Sequence, residues 1–394
     1  MSSTKIQVIL TLQQLKINNN EIEIFLNNQE FLIDDSSSLF EKCKNNSILP
    51  ITKLKEITEE SVSNAWDFSK EIMICSSREN VQIISKTDNQ FPILLRELKD
   101  CPQLLHVKGN IGRLNTNCIA IVGTRNPTQF GKEKAEKLST QLADKDFTIV
   151  SGLAKGIDTA AHEGALKSNG FTIAVLAHGL QTIYPKENRD LASRILKQNG
   201  ILISEYPWYT NSEPWRLVQR DRIQSGISFG VMVIETGVKG GTMHTVNFCK
   251  KHERFLMVLQ HPQGYETEEN TFGNKEIIKK FSAYNKFILV DENDDAQKII
   301  EKFRDLKIDL HISDISQINK IDQTRDMASS NSIQNPLSGF VRASMIQSHD
   351  ADGVELKNNN DFQDLSEKKI GKKLDKKNLK TKKLETYDDK KTWW

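Results

Sequence analysis

Ile119-Ala120-Ile121-Val122-Gly123-Thr124-Arg125-Asn126-Pro127-Thr128-Gln129-Phe130-Gly131 joins a strand-length apolar run, a loop of Gly and Arg, and a helix pattern that continues with Ala135, Leu138 and Leu142 on one face. The unit recurs as far as Gln260. Its apolar runs are Ile119 to Val122, Phe147 to Val150, Phe171 to Ala177, Ile201 to Ser204, Val231 to Ile234 and Phe255 to Leu259, each short and rich in β-branched residues. Strands alternating with helices predict an α/β fold, a doubly wound parallel sheet, whose ligands bind at the carboxyl ends of the strands. Arg125, Lys155, Lys186 and Lys239 all follow such strands. They are expected on one rim, where cations and backbone N–H donors suit an extended polyanion.

The chain of 394 residues is long enough for two domains and a tail. A formal net charge of +2 means that any basic surface arises from clustering, not from overall excess. Cys43, Cys75, Cys101, Cys118 and Cys249 are scattered without a C-x-x-C pair, which predicts no metal site and a reducing cytoplasm. No apolar run approaches membrane-spanning length and the N-terminus lacks a signal pattern, so a cytoplasmic protein without a membrane partner is expected.

Val8, Ile9, Leu12 and Leu15 recur at helical spacing and similar patterns follow, so residues 1–72 read as a small helical N-terminal domain. Phe91 to Leu98 and Leu104 to Gly109 read as an apolar connector packed on the sheet domain, which spans 73–308 and closes with Lys286 to Val290 and a helix from Asp294 to about Leu306. Residues 309–394 are polar and too poor in apolar side chains to offset the entropy of ordering, which predicts a disordered tail. Within it Lys368 to Lys383 holds nine Lys against one Asp, before Trp393-Trp394. Such a run is a solvated tail, a nucleic-acid attractant or a docking peptide.

The loop after Val122 sits where a dinucleotide fold grips pyrophosphate, but G-x-G-x-x-G is missing and Arg125 fills the mouth. A nicotinamide or flavin cofactor is therefore not expected, while an anion is. Arg125 either forks onto phosphate oxygens or pairs with a carboxylate in its loop. The second unit, Ser151-Gly152-Leu153-Ala154-Lys155-Gly156-Ile157-Asp158, gives another phosphate-sized turn. Asp158 is expected to cap a helix starting at Thr159, with His162 satisfying a local group in preference to catalysing. Tyr184-Pro185-Lys186-Glu187-Asn188 offers a mobile ammonium beside an aromatic that can stack on a base but whose expected fate is core packing. Arg220 and Arg222 flank Asp221 on a helix, where they clamp a backbone or tie helix to loop, and Gly240-Gly241-Thr242 opens the last loop.

In this order the loops resemble the DNA-processing protein A family, also called Smf, from Phe91-Pro92 to about Leu306. The resemblance implies an extended Rossmann fold, single-stranded DNA in the basic pocket, homodimers, and loading of a RecA-type recombinase, as in natural transformation. It assigns phosphate contacts to Arg125 and Lys186 and pocket-lining loops to Gly123, Ser151, Gly152, Lys155 and Gly241. With Thr124, Asn188, Arg220, Arg222 and Thr242 these form the candidate DNA-binding set. Two departures stand out. Asp221 replaces the Asn usual between the two Arg, adding negative charge near the groove, and residues 309–394 lack the pattern of the winged helix that many members carry. The competing reading is a phosphoribohydrolase-like nucleotide enzyme, with Glu205 or Glu235 as acid, though Gly240-Gly241-Thr242 lacks the full Gly-Gly-x-Gly-Thr turn and no nucleophile or metal cluster accompanies either acid. A scaffold acting through its helical domain and tail is the third.

Overall fold

The repeated apolar runs are parallel strands in a computed structural model that describes residues 2–27, 33–45, 51–265 and 267–305. Helices α1 (Ser2–Gln14), α2 (Asn19–Asn27), α3 (Ser36–Lys44), α4 (Ile51–Glu56) and α5 (Glu59–Arg78) lead into strand β1 (Val81–Ser85), the short α6 (Ile93–Arg96) and β2 (Leu104–Gly109). The repeats follow as β3 (Cys118–Val122), α7 (Gln129–Ala143), β4 (Thr148–Ser151), α8 (Ile157–Lys167), β5 (Thr172–Leu176), α9 (Arg189–Lys197) and β6 (Ile201–Ser204). Then come α10 (Pro214–Gly226), β7 (Gly230–Val233), α11 (Thr242–Lys251), β8 (Phe255–Leu259), α12 (Phe272–Phe281), β9 (Phe287–Val290) and α13 (Ala296–Asp305).

Among the described residues these strands form one nine-stranded sheet in the order β1-β2-β6-β5-β4-β3-β7-β8-β9. From β6 to β9 every pairing is parallel. The expected connector is in fact half strand: β2 pairs antiparallel with both β1 and β6. The chain leaves β3 toward β4 on one side and later returns to β7 on the other, so the strand order reverses between β3 and β7. In an open α/β sheet that reversal splits the strand-end loops apart and leaves a crevice.

Side chains alternate across the sheet. Ala120, Val122, Val150, Val231 and Val233 face Leu95, Ile223 and Val246 of α6, α10 and α11, while Ile119, Ile121, Ile149 and Met232 face Leu138, Leu142, Ala160, Ala161 and Ala165 of α7 and α8. Both faces are thus buried, as continuous Val and Ile runs require. Gly164 lets α8 approach α7 closely, since a Cβ there would run into the Glu136 carbonyl, and Thr140 Oγ1 donates to the Gly164 carbonyl at 2.9 Å. The N-terminal helices enclose their own core of Ile9, Leu12, Phe25, Leu39 and Ile72, which reaches the sheet through Leu104. α5 begins on a capping box between Thr58 and Ser61. The polar tail expected at 309–394 lies outside the described residues. No helix among those described is long and apolar enough to cross a membrane.

Candidate nucleic-acid interface

The β3–β7 crevice holds a cavity of about 530 Å³. Its wall on the β3 side is Gly123-Thr124-Arg125, pinned through the N–H and carbonyl of Thr124. The Thr124 N–H donates to the Glu235 carbonyl at 2.7 Å, and the Ile157 N–H donates to the Thr124 carbonyl at 3.2 Å. Glu235, at the end of β7, is fully buried, and its carboxylate accepts the Thr128 N–H at 2.8 Å as well as the Thr128 hydroxyl, with His261 Nε2 3.2 Å away. Thr128 Oγ1 in turn accepts the Gly131 N–H and caps α7. Gly131 is required here because a Cβ would overlap the Glu235 carboxylate.

Arg125 is exposed at the mouth, and among the described residues no salt bridge engages it, so the pairing with a carboxylate in its loop is not formed. Opposite, Gly237, Gly240, Gly241 and Thr242 line the cavity and lead into α11, whose first turn carries no side-chain cap. The Met243 and His244 N–H groups of that turn donate to the Gly240 and Gly241 carbonyls at 3.1 and 3.0 Å, so what the start of α11 offers an anion is chiefly the positive end of its dipole. A smaller recess of about 60 Å³ beside the cavity adds Gly152, Lys155 and Pro185 to Arg125. Tyr184 lines both and is 48% exposed, so the expectation of core packing is corrected: the ring faces the cavity.

The remaining residues of the candidate set have other employments. Ser151 is buried, its hydroxyl donating to the Ile121 carbonyl at 2.7 Å, and Asn188 is buried with Nδ2 on the Leu153 carbonyl at 2.7 Å and Thr159 Oγ1 at 2.9 Å. Both side chains fix loops; neither reaches into the cavity. Arg220 forms the cavity floor but donates to the carbonyls of Gly152, at 2.7 Å, and Val175, and to Asp221 Oδ1 at 3.1 Å. Arg222 lies elsewhere, buried against Glu205. The backbone-clamp alternative for this pair gives way to the helix-to-loop tie. Lys155 pairs with Glu187 at 2.6 Å on the surface, and Lys186 and Lys239 are exposed, Lys186 directly after the lining Tyr184 and Pro185.

Asp158 does not cap a helix beginning at Thr159. The helix starts at Ile157, after Gly156 with φ near +81°, and the Asp158 carboxylate instead accepts the Gly152 N–H at 3.0 Å and the Ala154 N–H at 3.4 Å. Burial raises its pKa, opposed by Arg220. Asp221 is raised to about 6 by burial, also opposed by Arg220, with Asp158 adding to the rise. His162 points away from Asp158, its Nδ1 2.7 Å from Thr172 Oγ1, and burial lowers it to about 3, so it stays neutral. Glu205 and Glu235, the two candidate acids, are spent on Arg222 and Thr128. One feature escaped the sequence reading: Trp215, 53% exposed on the first turn of α10, with the Arg216 guanidinium 4.7 Å over its ring. Its signal was an aromatic directly after Pro214 at a helix start.

Comparison with known proteins gives a consistent set. A family model described as DNA recombination-mediator protein A matches residues 82–297, just over half of the chain. "DNA processing protein DprA" of Bacillus subtilis (strain 168) is 39% identical over 175 residues, which cover 44% of this chain and 59% of that protein. "Protein Smf" of Escherichia coli (strain K12) is 36% identical over 185 residues, 47% of this chain and 50% of that one. The chain thus spans about half the length of the curated relatives it matches. Among solved structures, DNA processing protein A from Streptococcus pneumoniae superposes with a TM-score of 0.60 at 25% identity, covering 74% of this chain and 95% of that one.

Proposed function

This chain belongs to the DNA recombination-mediator protein A family, and from that premise we propose that its β3–β7 cavity binds single-stranded DNA by the backbone phosphates and that the protein, as a cytoplasmic homodimer, delivers the strand to a RecA-type recombinase. The observation that supports it best is the convergence of Arg125, the uncapped start of α11 and exposed Tyr184 on one cavity at the strand reversal. A fork of cationic donors and a dipole take phosphates, and the open aromatic face takes a base of any identity, which favours single strands over duplex. Natural transformation is the setting proposed.

The test is charge reversal at the cavity mouth. Arg125→Glu with Lys186→Glu is expected to abolish the mobility shift of a single-stranded oligonucleotide while the melting temperature stays within a few degrees of wild type, because both side chains are exposed. Unchanged binding by the folded double variant refutes the assignment. Strand exchange by a RecA-type recombinase on coated DNA, with and without the protein, tests delivery separately.

A further inference from the structure

β1 runs parallel to β6, since each pairs antiparallel with β2. The turn after β1 therefore opens on the same rim as the loops after β3, β5 and β7. In that turn, against the N-terminal helices, lies a second cavity of about 290 Å³ lined by Lys5, Glu23, Ser85, Lys86, Thr87 and Arg96. Three cations from α1, the turn and α6 meet there with one carboxylate. Lys5 Nζ donates to Thr87 Oγ1 at 2.8 Å, and Lys86 Nζ lies 2.8 Å from Glu23 Oε1. Arg96 Nη2 donates to the Asp88 and Phe91 carbonyls, which fixes its guanidinium at the wall. Two hydroxyls, from Ser85 and Thr87, lie 3.0 Å apart beside them.

The rim between the two cavities carries exposed aromatic rings. Tyr209, beyond the end of β6, is 48% exposed and stacks on Phe68 with centroids 6.0 Å apart, its hydroxyl donating to Glu71 at 2.8 Å. Trp215 stands edge-on to Tyr206. Five strand steps separate β1 from β3, roughly 24 Å at about 4.8 Å per step. A stacked strand advances about 3.4 Å per nucleotide, so about seven nucleotides cover that distance and fewer do when extended.

We infer that the second cavity is a phosphate subsite for the same single-stranded DNA. A strand gripped at Arg125 runs along the rim past Tyr184, Trp215 and Tyr209 and is anchored again by Lys5, Lys86 and Arg96. This rests on the reading of the central cavity as the DNA site, and the experiment separates the two.

Fluorescence anisotropy on the full chain compares a short oligothymidylate of about three nucleotides, which fits the central cavity alone, with a long one of about fifteen, which spans both. One phosphate contact on a single strand contributes a salt slope of about 0.7, or about fivefold in affinity at about 0.1 M salt. Lys5→Glu is expected to weaken the long oligonucleotide at least that much, lower its salt slope and leave the short one unchanged. Glu23→Gln removes the lone carboxylate and is expected to tighten the long oligonucleotide only. If Lys5→Glu melts early, Glu23→Gln decides by itself. The inference is overturned if Arg125→Glu abolishes binding of both lengths while neither second-cavity variant distinguishes long from short. If Arg125→Glu leaves both lengths bound, the central reading has failed instead.

Discussion

Asp221→Asn is the substitution that tests the cavity floor most directly. Asp221 is buried, shares its proton affinity with nearby Asp158, and is held at 3.1 Å by Arg220 Nε. Despite that cation, burial dominates and lifts the carboxyl from 3.8 to about 6. A carboxyl raised on folding gives stability that is complete below the unfolded value near 3.8 and is lost as pH climbs through the folded value near 6. Above pH 6 the ionised group opposes folding by about 3 kcal/mol, at about 1.4 kcal/mol per pKa unit. Asn keeps the acceptor for Arg220 and drops the charge, and it also relieves Asp158 of a like-charged neighbour, which acts in the same direction. The variant should therefore match wild type near pH 4 and exceed it by up to about 3 kcal/mol at pH 8, read from urea unfolding across that range. Single-strand affinity should follow the same course. For a phosphate about 8 Å away, an effective dielectric of about 20 to 80 gives a gain of about 0.5 to 2 kcal/mol at pH 8 and little near pH 5, where wild-type Asp221 is largely protonated. An Asn variant that unfolds more easily than wild type at pH 8 would show that the Arg220–Asp221 pair outweighs its burial, and the argument would fall.

The other predictions concern packing and stacking. Gly152→Ala places a methyl on the Arg220 guanidinium and is expected to cost about 1–3 kcal/mol in urea unfolding. Gly241→Ala meets nothing within 4 Å, and its stability should stay within about 0.5 kcal/mol of wild type. Tyr184→Ala removes an exposed ring and should weaken single-stranded oligonucleotides by about 1–3 kcal/mol, measured by anisotropy, without changing the melting temperature.

The parallel strands were legible because each is a short β-branched run between Gly-rich loops, and in the fold they lie within one residue of where the pattern puts them. β1 and β2 were not. Val81–Ser85 and Leu104–Gly109 are followed by no helical crossover, and β2 finds its second partner, β6, about a hundred residues later, which no local periodicity announces. The cavity loops were legible through Gly123, Arg125 and Gly241, whose spacing after strands dictates their rim. What charge pattern cannot convey is commitment: Arg220 and Arg222 look alike in sequence, yet one floors the cavity on two carbonyls and the other is buried against Glu205 on a different side of α10. Ser151 and Asn188 are ambiguous in sequence for the same reason, since a polar side chain in a loop serves backbone or ligand equally well on paper, and here both side chains bond to the loops.

The position of β2 also bears on where this polypeptide can be divided. Its Leu104 belongs to the core enclosed by the N-terminal helices, with Ile83 and Trp208 packed against it, while its backbone is laddered to β6. Cutting at residue 82, where the family match begins, would take Val81 from β1 and strip helices α1 to α5 from the apolar seam around Leu104 and Ile83, so the region shared among relatives and the smallest piece able to stand alone have different borders. Helices and sheet are seamed through β1 and β2, and pulling on either is felt by the other.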